Sequence, residues 1–340
     1  MKVIVGMSGG VDSSVAAYLL KEKGFEVFGA FFDMLKTEKT EREFEEAKKV
    51  AEILKIPLKR IDVSEEFRKE IIGDFLNAYK KGFTPNPCVL CNQKIKFSLA
   101  FEKAEEIFGK SFFATGHYAQ IEKGERMRLK KGVDKRKDQS YMLWKLSQEE
   151  LRRTFFPLGE YKKEEIFRIA EETGLPAFRK ESQDICFVNG KLSEFLRKHF
   201  PVNYGDILNT KGEVIGRHKG AYFYTIGQRS GLGVSFREPL YVVKTDVKAN
   251  TVILGTREEC MFSTAEITDT NFIEEWDGKP AELTCKVRYK SKETPCVLKR
   301  ENGKIVVHFK EKIFAVTPGQ SLVLYRGDYV FGGGIIIKSE

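Results

Sequence analysis

The chain is short of the features that would make it a disulfide scaffold, a membrane protein or a low-complexity polymer. It has six cysteines in 340 residues, too few to staple a fold of this size. "MKVIVGMSGG" reads as a first strand rather than an export signal, so the thiols are expected to stay reduced in the cytoplasm. No apolar run nears the roughly 20 residues that cross a bilayer, and no membrane partner is expected. The lack of a second C-x-x-C excludes a locally assembled four-cysteine zinc ribbon. Internal repeats and biased tracts are absent as well. What is present is an ordinary globular composition, 41% hydrophobic and 31% charged, in a chain long enough for two or three domains. Basic residues outnumber acidic ones to give a net charge of +9, which favours a polyanionic partner such as nucleic acid.

The first half alternates strand and helix signals. "KVIVGM" is a continuous apolar run of the kind found in a strand covered on both faces. A helix follows in "SSVAAYLLKEKG", with Gly24 as its C-cap. "FEVFGAFF", "PLKRIDV" and "SFFATGHYAQI" read as further strands separated by helical segments, and "TPNPCVLCN" reads as a loop. "SQEELRRTFFPLGEYKKEEIFRIAEETG" adds a helical pair. This order predicts an α/β fold, an open parallel sheet with helices on both faces, over residues 1–200. Ligands in such folds sit beyond the carboxyl ends of the strands. From Tyr204 onward the chain is Gly-rich, β-branched and aromatic. A small central β module is expected over 201–262 and a C-terminal β-barrel over 263–340, with "GTREECMFSTAEIT" as the seam.

"GMSGGVDSS" lies between the first strand and the first helix. Gly6, Gly9 and Gly10 let the backbone turn tightly and approach an anion. Ser8 and Ser13 add hydroxyls, and the amides of Met7, Val11 and the helix start complete a phosphate cradle. No lysine follows the last glycine, so this is not a Walker A loop, and it lacks the G-x-G-x-x-G spacing of dinucleotide folds. Asp12 makes electrostatic sense among phosphate-binding groups if Mg²⁺ stands between them.

Cys88 and Cys91 in "TPNPCVLCNQ" suit half a zinc site, a redox pair or sulfur handling, and the pair alone does not decide. Cys186, in the turn-prone "ESQDICFVNG", is expected to be exposed. Cys285 and Cys296 sit in strand-like contexts and read as small buried hydrophobes, while Cys260 carries no signal. Zinc held by Cys88, Cys91, Cys186 and a His stays open. The run 130–139, "KKGVDKRKDQ", holds five basic residues. "VRYKSK" and "TPGQ" offer Arg288, Tyr289 and Gln320, an aromatic flanked by cations suited to stacking and phosphate contact.

The glycine loop resembles the pyrophosphate (PP) loop of the ATP pyrophosphatases, which split ATP into AMP and pyrophosphate to adenylate a substrate oxygen. "GMSGGVDSS", "TPNPCVLCNQKIKF", "ATGHYAQ", "KDQSYMLWKLS", "SQDICF", "YTIGQRSGLGV" and "AVTPGQSLVLY", in that order, resemble the bacterial tRNA-specific 2-thiouridylases (the MnmA or TrmU family). The resemblance implies a cytoplasmic sulfurtransferase that makes 2-thiouridine at the tRNA wobble position. Its implied requirements are ATP, Mg²⁺ and a sulfur donor, either a desulfurase, a sulfur-relay protein or free sulfide. By the same resemblance, Gly6 to Ser13 hold ATP, and Phe32 and Gly116 border its adenine part, Phe32 standing where the family often has Met. Cys186 carries a persulfide, Cys91 acts as nucleophile or resolving thiol, and a Cys91–Cys186 disulfide results. Asn86, Pro87 and Cys88 lie beside the target base, and His117, Lys137, Asp138, Gln139, Arg288, Tyr289 and Gln320 contact tRNA. One departure stands out. Many members have Asp where this chain has Cys88, and a thiol does not inherit a carboxylate's proton chemistry. The substitution leaves three thiols, Cys88, Cys91 and Cys186, a set able to hold a 4Fe-4S cluster with one open iron. Two other readings compete: an amide or arginine-type synthetase sharing only the loop, and an RNA-binding protein with structural zinc.

Overall fold

The computed structural model describes residues 1–176 and 185–340. The Ser-Gln-Asp of "SQDICF" lies outside the described residues; Cys186 lies within them. Strand β1 (Lys2–Gly6) runs into helix α1 (Val11–Glu22), and β2 (Glu26–Asp33) into α2 (Glu38–Leu54) and β3 (Leu58–Asp62). The middle of β1, Val3 to Val5, is fully buried, as its unbroken apolar run requires of a strand with helices above and below. Helices α3 (Ser64–Phe67) and α4 (Gly73–Lys80) are joined through a π-helical segment at Arg68–Ile72. Next come α5 (Pro87–Cys91), a π-helical segment at Asn92–Leu99, α6 (Ala100–Phe108) and β4 (Phe112–Ala114).

Two local expectations differ from the structure. "TPNPCVLCN" is not all loop, because α5 begins at Pro87. The Asn86 side chain accepts from the Cys88 amide at 3.2 Å, and proline fits the first helical position because no partner for its missing N–H is needed there. "SFFATGHYAQI" is not one strand. It stops after Ala114, and the chain resumes as β5 (Ala119–Glu122), paired with β6 (Arg128–Lys131) in a different sheet. The interruption follows from packing, since Gly116 passes directly against the Asp12–Ser13 backbone. The expected helical pair forms, with an unforeseen strand inside it. Between α7 (Gln148–Arg152) and α8 (Lys163–Glu172), Thr154–Phe155 forms β7, an edge strand. The parallel sheet runs β3-β2-β1-β4-β7.

Helix α9 (Leu192–His199) leads into a four-stranded sheet of β8 (Gly205–Asn209), β9 (Val214–His218), β10 (Tyr241–Asp246) and β11 (Thr251–Gly255), ordered β10-β11-β8-β9. Six further strands, β12 (Met261–Phe272), β13 (Ala281–Lys286), β14 (Thr294–Glu301), β15 (Lys304–Phe314), β16 (Ser321–Arg326) and β17 (Tyr329–Ser339), close into an antiparallel barrel through the β12–β17 pairing. The β5–β6 hairpin extends this barrel sheet through Tyr329 and Lys130. Asn271 ties the barrel to the first domain by donating to the carbonyls of Trp144 at 2.8 Å and Leu146 at 3.1 Å. The Thr84 amide donates to Pro318 O at 2.9 Å, so the barrel grips the segment leading into the thiol-bearing helix.

Candidate active site

The cradle forms where β1 ends. Gly9 takes φ +75°, a conformation that favours glycine, and a Cβ there would lie 2.3 Å from Glu43 O. At Gly10 an added Cβ would meet only Ser8 Oγ, at 3.5 Å, so the inner face of the loop is open. Ser13 Oγ accepts from the Ser8 amide at 3.1 Å and donates to Gly10 O at 3.0 Å, which fixes the curve. Phe32 lies beside Gly6, its ring carbon 3.5 Å from where a Gly6 Cβ would be. Asp12 Oδ1 accepts from Tyr118 Oη at 2.7 Å and from Lys163 Nζ at 2.5 Å. Neither partner emerges from sequence reading. Tyr118 follows the glycine-histidine pair and Lys163 opens a helix 151 residues away, with no local pattern to announce them.

Gly116 packs against the cradle's Asp12–Ser13 backbone. Its neighbour His117 is bonded through Nδ1 to Thr115 Oγ1 at 2.7 Å and packs near Phe97 and Phe156. Burial, reinforced by the Lys96 charge, lowers its pKa to about 3, so the ring is neutral at any working pH. Lys96 lies in the π-helical segment after α5, and its charge also reaches Cys91 and Cys186. Gly116 thus packs on the Asp12–Ser13 turn, while its neighbour His117 shares the Lys96 field with Cys91 and Cys186.

Cys88, Cys91 and Cys186 are free thiols, near enough that Cys91 feels the charges of Cys186 and Cys88, and Cys186 that of Cys88. Their exposures differ. Cys91 is buried, Cys88 is half-buried and Cys186 is exposed, the last matching its sequence expectation. Phe187 anchors the Cys186 segment, its ring 5.2 Å from Phe75 and 6.0 Å from Phe67. Burial pushes the Cys91 thiol up to about 12, opposed by Lys96. The Cys186 thiol is open to solvent, yet protein packed around its base, with Cys88 beside it, also raises its pKa. Both thiols are therefore protonated at neutral pH, and since the thiolate is the nucleophile, reactivity climbs with pH. Iodoacetamide is expected to modify Cys186 before Cys91, with the Cys186 rate still rising above pH 9 and Cys91 silent until the fold opens; peptide mapping by mass spectrometry reads this. Early labelling of Cys91 would contradict the arrangement. Cys260, Cys285 and Cys296 are fully buried, as small apolar residues would be.

The residues expected at tRNA are mixed in setting. Lys137 is exposed, whereas Asp138 accepts from Gly132 N at 3.0 Å, Ser140 N at 3.1 Å and Ser140 Oγ at 3.0 Å, shaping the turn. Gln139 Oε1 accepts from the Tyr118 amide at 3.0 Å, bracing the tyrosine that holds Asp12. Pro87 is buried, and Asn86 is spent partly on capping α5. Arg288, expected to contact tRNA, also acts as a brace: its Nη2 donates to Ile226 O and Ala315 O, both at 2.9 Å, and to Thr317 Oγ1 at 2.5 Å. Gln320 donates to Thr84 O at 2.8 Å. Tyr289 is half-buried, its ring 6.0 Å from that of Tyr141. Among the described residues no helix is long and apolar enough to cross a membrane.

Comparison with known proteins accords with this layout. A family model described as the tRNA methyl transferase HUP domain matches residues 1–190, one described as the tRNA methyl transferase PRC-barrel domain matches 193–256, and an aminomethyltransferase beta-barrel domain matches 263–336. The tRNA-specific 2-thiouridylase MnmA 2 of Thermoanaerobacter sp. (strain X514) is 46% identical over 355 residues, covering 98% of this chain and 97% of that protein. The tRNA-specific 2-thiouridylase MnmA of Clostridioides difficile (strain 630) is 41% identical over 356 residues, covering 99% and 98%. Among solved structures, the U34-tRNA thiolase NcsA from Methanococcus maripaludis with its 4Fe-4S cluster aligns over 59% of this chain and 67% of that one, at 19% identity and a TM-score of 0.36, too remote for chemistry to be read across. On its near-full-length identity to such proteins, the chain belongs to the tRNA-specific 2-thiouridylase family.

Proposed function

We propose that the chain is an ATP-dependent tRNA sulfurtransferase that replaces the C2 oxygen of a wobble uridine with sulfur. The observation that supports this most is the open, serine-lined loop at the end of β1 in a chain that also brings Cys88, Cys91 and Cys186 within reach of one another's charge. The C2 oxygen is a poor leaving group. Its attack on the α-phosphorus of ATP expels pyrophosphate and converts it into the oxygen of AMP, which leaves readily. The terminal sulfur of a Cys186 persulfide then attacks C2 and AMP departs. Cys91 attacks the inner Cys186 sulfur, so that the Cys186 S–S bond breaks and its electron pair stays on the transferred sulfur. A Cys91–Cys186 disulfide remains, to be reduced by an external thiol.

The open loop with its serine hydroxyls suits a triphosphate, and Asp12, a hard oxygen donor at the loop, suits Mg²⁺, which would neutralise phosphate charge there. Three thiols are the right donor type for a 4Fe-4S cluster. However, among the described residues no three Cys, His, Asp or Glu side chains are gathered as ligands of one metal. That arrangement does not fit a cluster, and no step is derived through one. Lys137 and the basic run around it would meet the tRNA backbone. An anticodon-loop base can be splayed into a pocket at modest cost.

Anaerobically purified protein is expected to form thionucleoside and pyrophosphate in equal amounts from unmodified tRNA, ATP–Mg²⁺ and a persulfide source. Pyrophosphate release without thionucleoside would favour an amide-type synthetase. Tight zinc with no pyrophosphate would favour an RNA-binding protein, and stoichiometric iron with sulfide would replace the persulfide step.

A further inference from the structure

Asp12 poses an electrostatic problem that the loop does not solve locally. Residues Met7 to Ser13 contribute amides and hydroxyls but no cation, and an uncompensated carboxylate beside them would repel a polyphosphate. Walker-type loops carry their own lysine, and this one does not. The compensating charge comes from Lys163, whose Nζ bonds Asp12 Oδ1 at 2.5 Å. This is a built position. The Lys163 amide donates to Asp134 Oδ2 at 3.0 Å, fixing the first residue of α8. The side chain is only 17% exposed, with its ammonium 4.8 Å from the Phe167 ring centroid and 5.7 Å from that of Tyr118. Tyr118 bonds the same carboxylate oxygen, and Gln139 holds the Tyr118 amide in turn. An ammonium has three donors, and among the described residues Asp12 is the one acceptor bonded to this one.

We propose that Lys163 is a phosphate-binding residue of the nucleotide site, delivered to the loop by its bond to Asp12 and placed to bond triphosphate oxygens alongside the loop amides. It would then neutralise charge on the departing pyrophosphate, the role a Walker lysine plays from within its own loop. The inference rests on the reading of the loop as an ATP site.

The test is equilibrium binding of ATP–Mg²⁺, inorganic pyrophosphate and unmodified tRNA to the full-length wild type, K163M and K163R. Loss of a charge-assisted bond predicts that K163M weakens ATP and pyrophosphate by roughly 10- to 100-fold while tRNA binding holds. K163R is expected to recover most of the loss. If K163M melts early, K163Q takes its place with the same reading. Wild-type affinity for ATP and pyrophosphate in the variant would overturn the proposal, as would an equal loss for all three ligands, which would make Lys163 a support for α8 only. A wild type that binds neither ATP nor pyrophosphate would instead overturn the nucleotide reading beneath it.

Discussion

Replacing Cys186 with serine is expected to lower thionucleoside formation roughly a thousandfold or more, while pyrophosphate release continues near the wild-type rate. The separation follows from which element builds each half of the site. The phosphate cradle is made by the β1–α1 turn and locked by its own serines, by Asp12 and by Gly116. The thiols come from α5 and from the segment anchored by Phe187. A Cys186→Ser change alters an exposed side chain and disturbs neither the cradle nor the core, so the melting temperature should not move. Adenylated tRNA would form and be lost to water, which uncouples the two products. Cys91→Ser should behave differently. Sulfur still reaches the base, but nothing breaks the bond to Cys186, and a tRNA–protein adduct accumulates. A denaturing gel, with release by dithiothreitol, detects it. Cys88→Ser discriminates further: if Cys88 is a bystander, thiolation persists. Full thiolation by the Cys186 variant would mean that sulfur enters by another residue.

What could be read from the chain divides along the range of the interactions. The strand–glycine–helix turn is local, so "KVIVGMSGGVDSS" announced both its fold and the open curve of its loop. The start of α5 was equally local, because Asn-Pro is a cap followed by a first-turn proline, but two prolines in five residues pointed to a loop instead. Lys163 and Tyr118 left no trace in the sequence, since their bonds to Asp12 cross 151 and 106 residues. Arg288 and Gln320 show the converse, a structural role that the sequence reading did not include. A cation and an amide in turn-rich segments read as surface groups, and only tertiary packing reveals that both spend donors on backbone carbonyls between modules. The β5–β6 hairpin was hidden for the same reason. Its place in the barrel sheet depends on a partner strand some 200 residues later and is invisible in its own alternation.

The sharpest structural prediction contrasts two glycines of the cradle. Gly116→Ala is expected to reduce ATP-dependent pyrophosphate release by on the order of 100-fold and to lower the melting temperature by several degrees. An added Cβ would stand 2.8 Å from the Asp12 carbonyl carbon, 2.9 Å from the Ser13 amide nitrogen and 3.0 Å from Asp12 Cβ. Two of these are backbone atoms that no rotamer change can move, so either the β4 exit or the first turn of α1 must shift. Overpacking of this kind typically costs about 1–3 kcal/mol. The shift would also carry Asp12 away from Tyr118 and Lys163, disordering the carboxylate. Gly10→Ala puts its methyl in ordinary contact with Ser8 Oγ alone, at 3.5 Å, so the fold should melt as the wild type does. Its methyl instead points into the space where phosphate oxygens would approach the amides, and ATP affinity should fall without loss of stability. Scanning calorimetry paired with ATP titration separates the two variants. If Gly10→Ala binds ATP as tightly as the wild type, phosphate does not enter by that face of the loop, and the cradle must be redrawn around other amides.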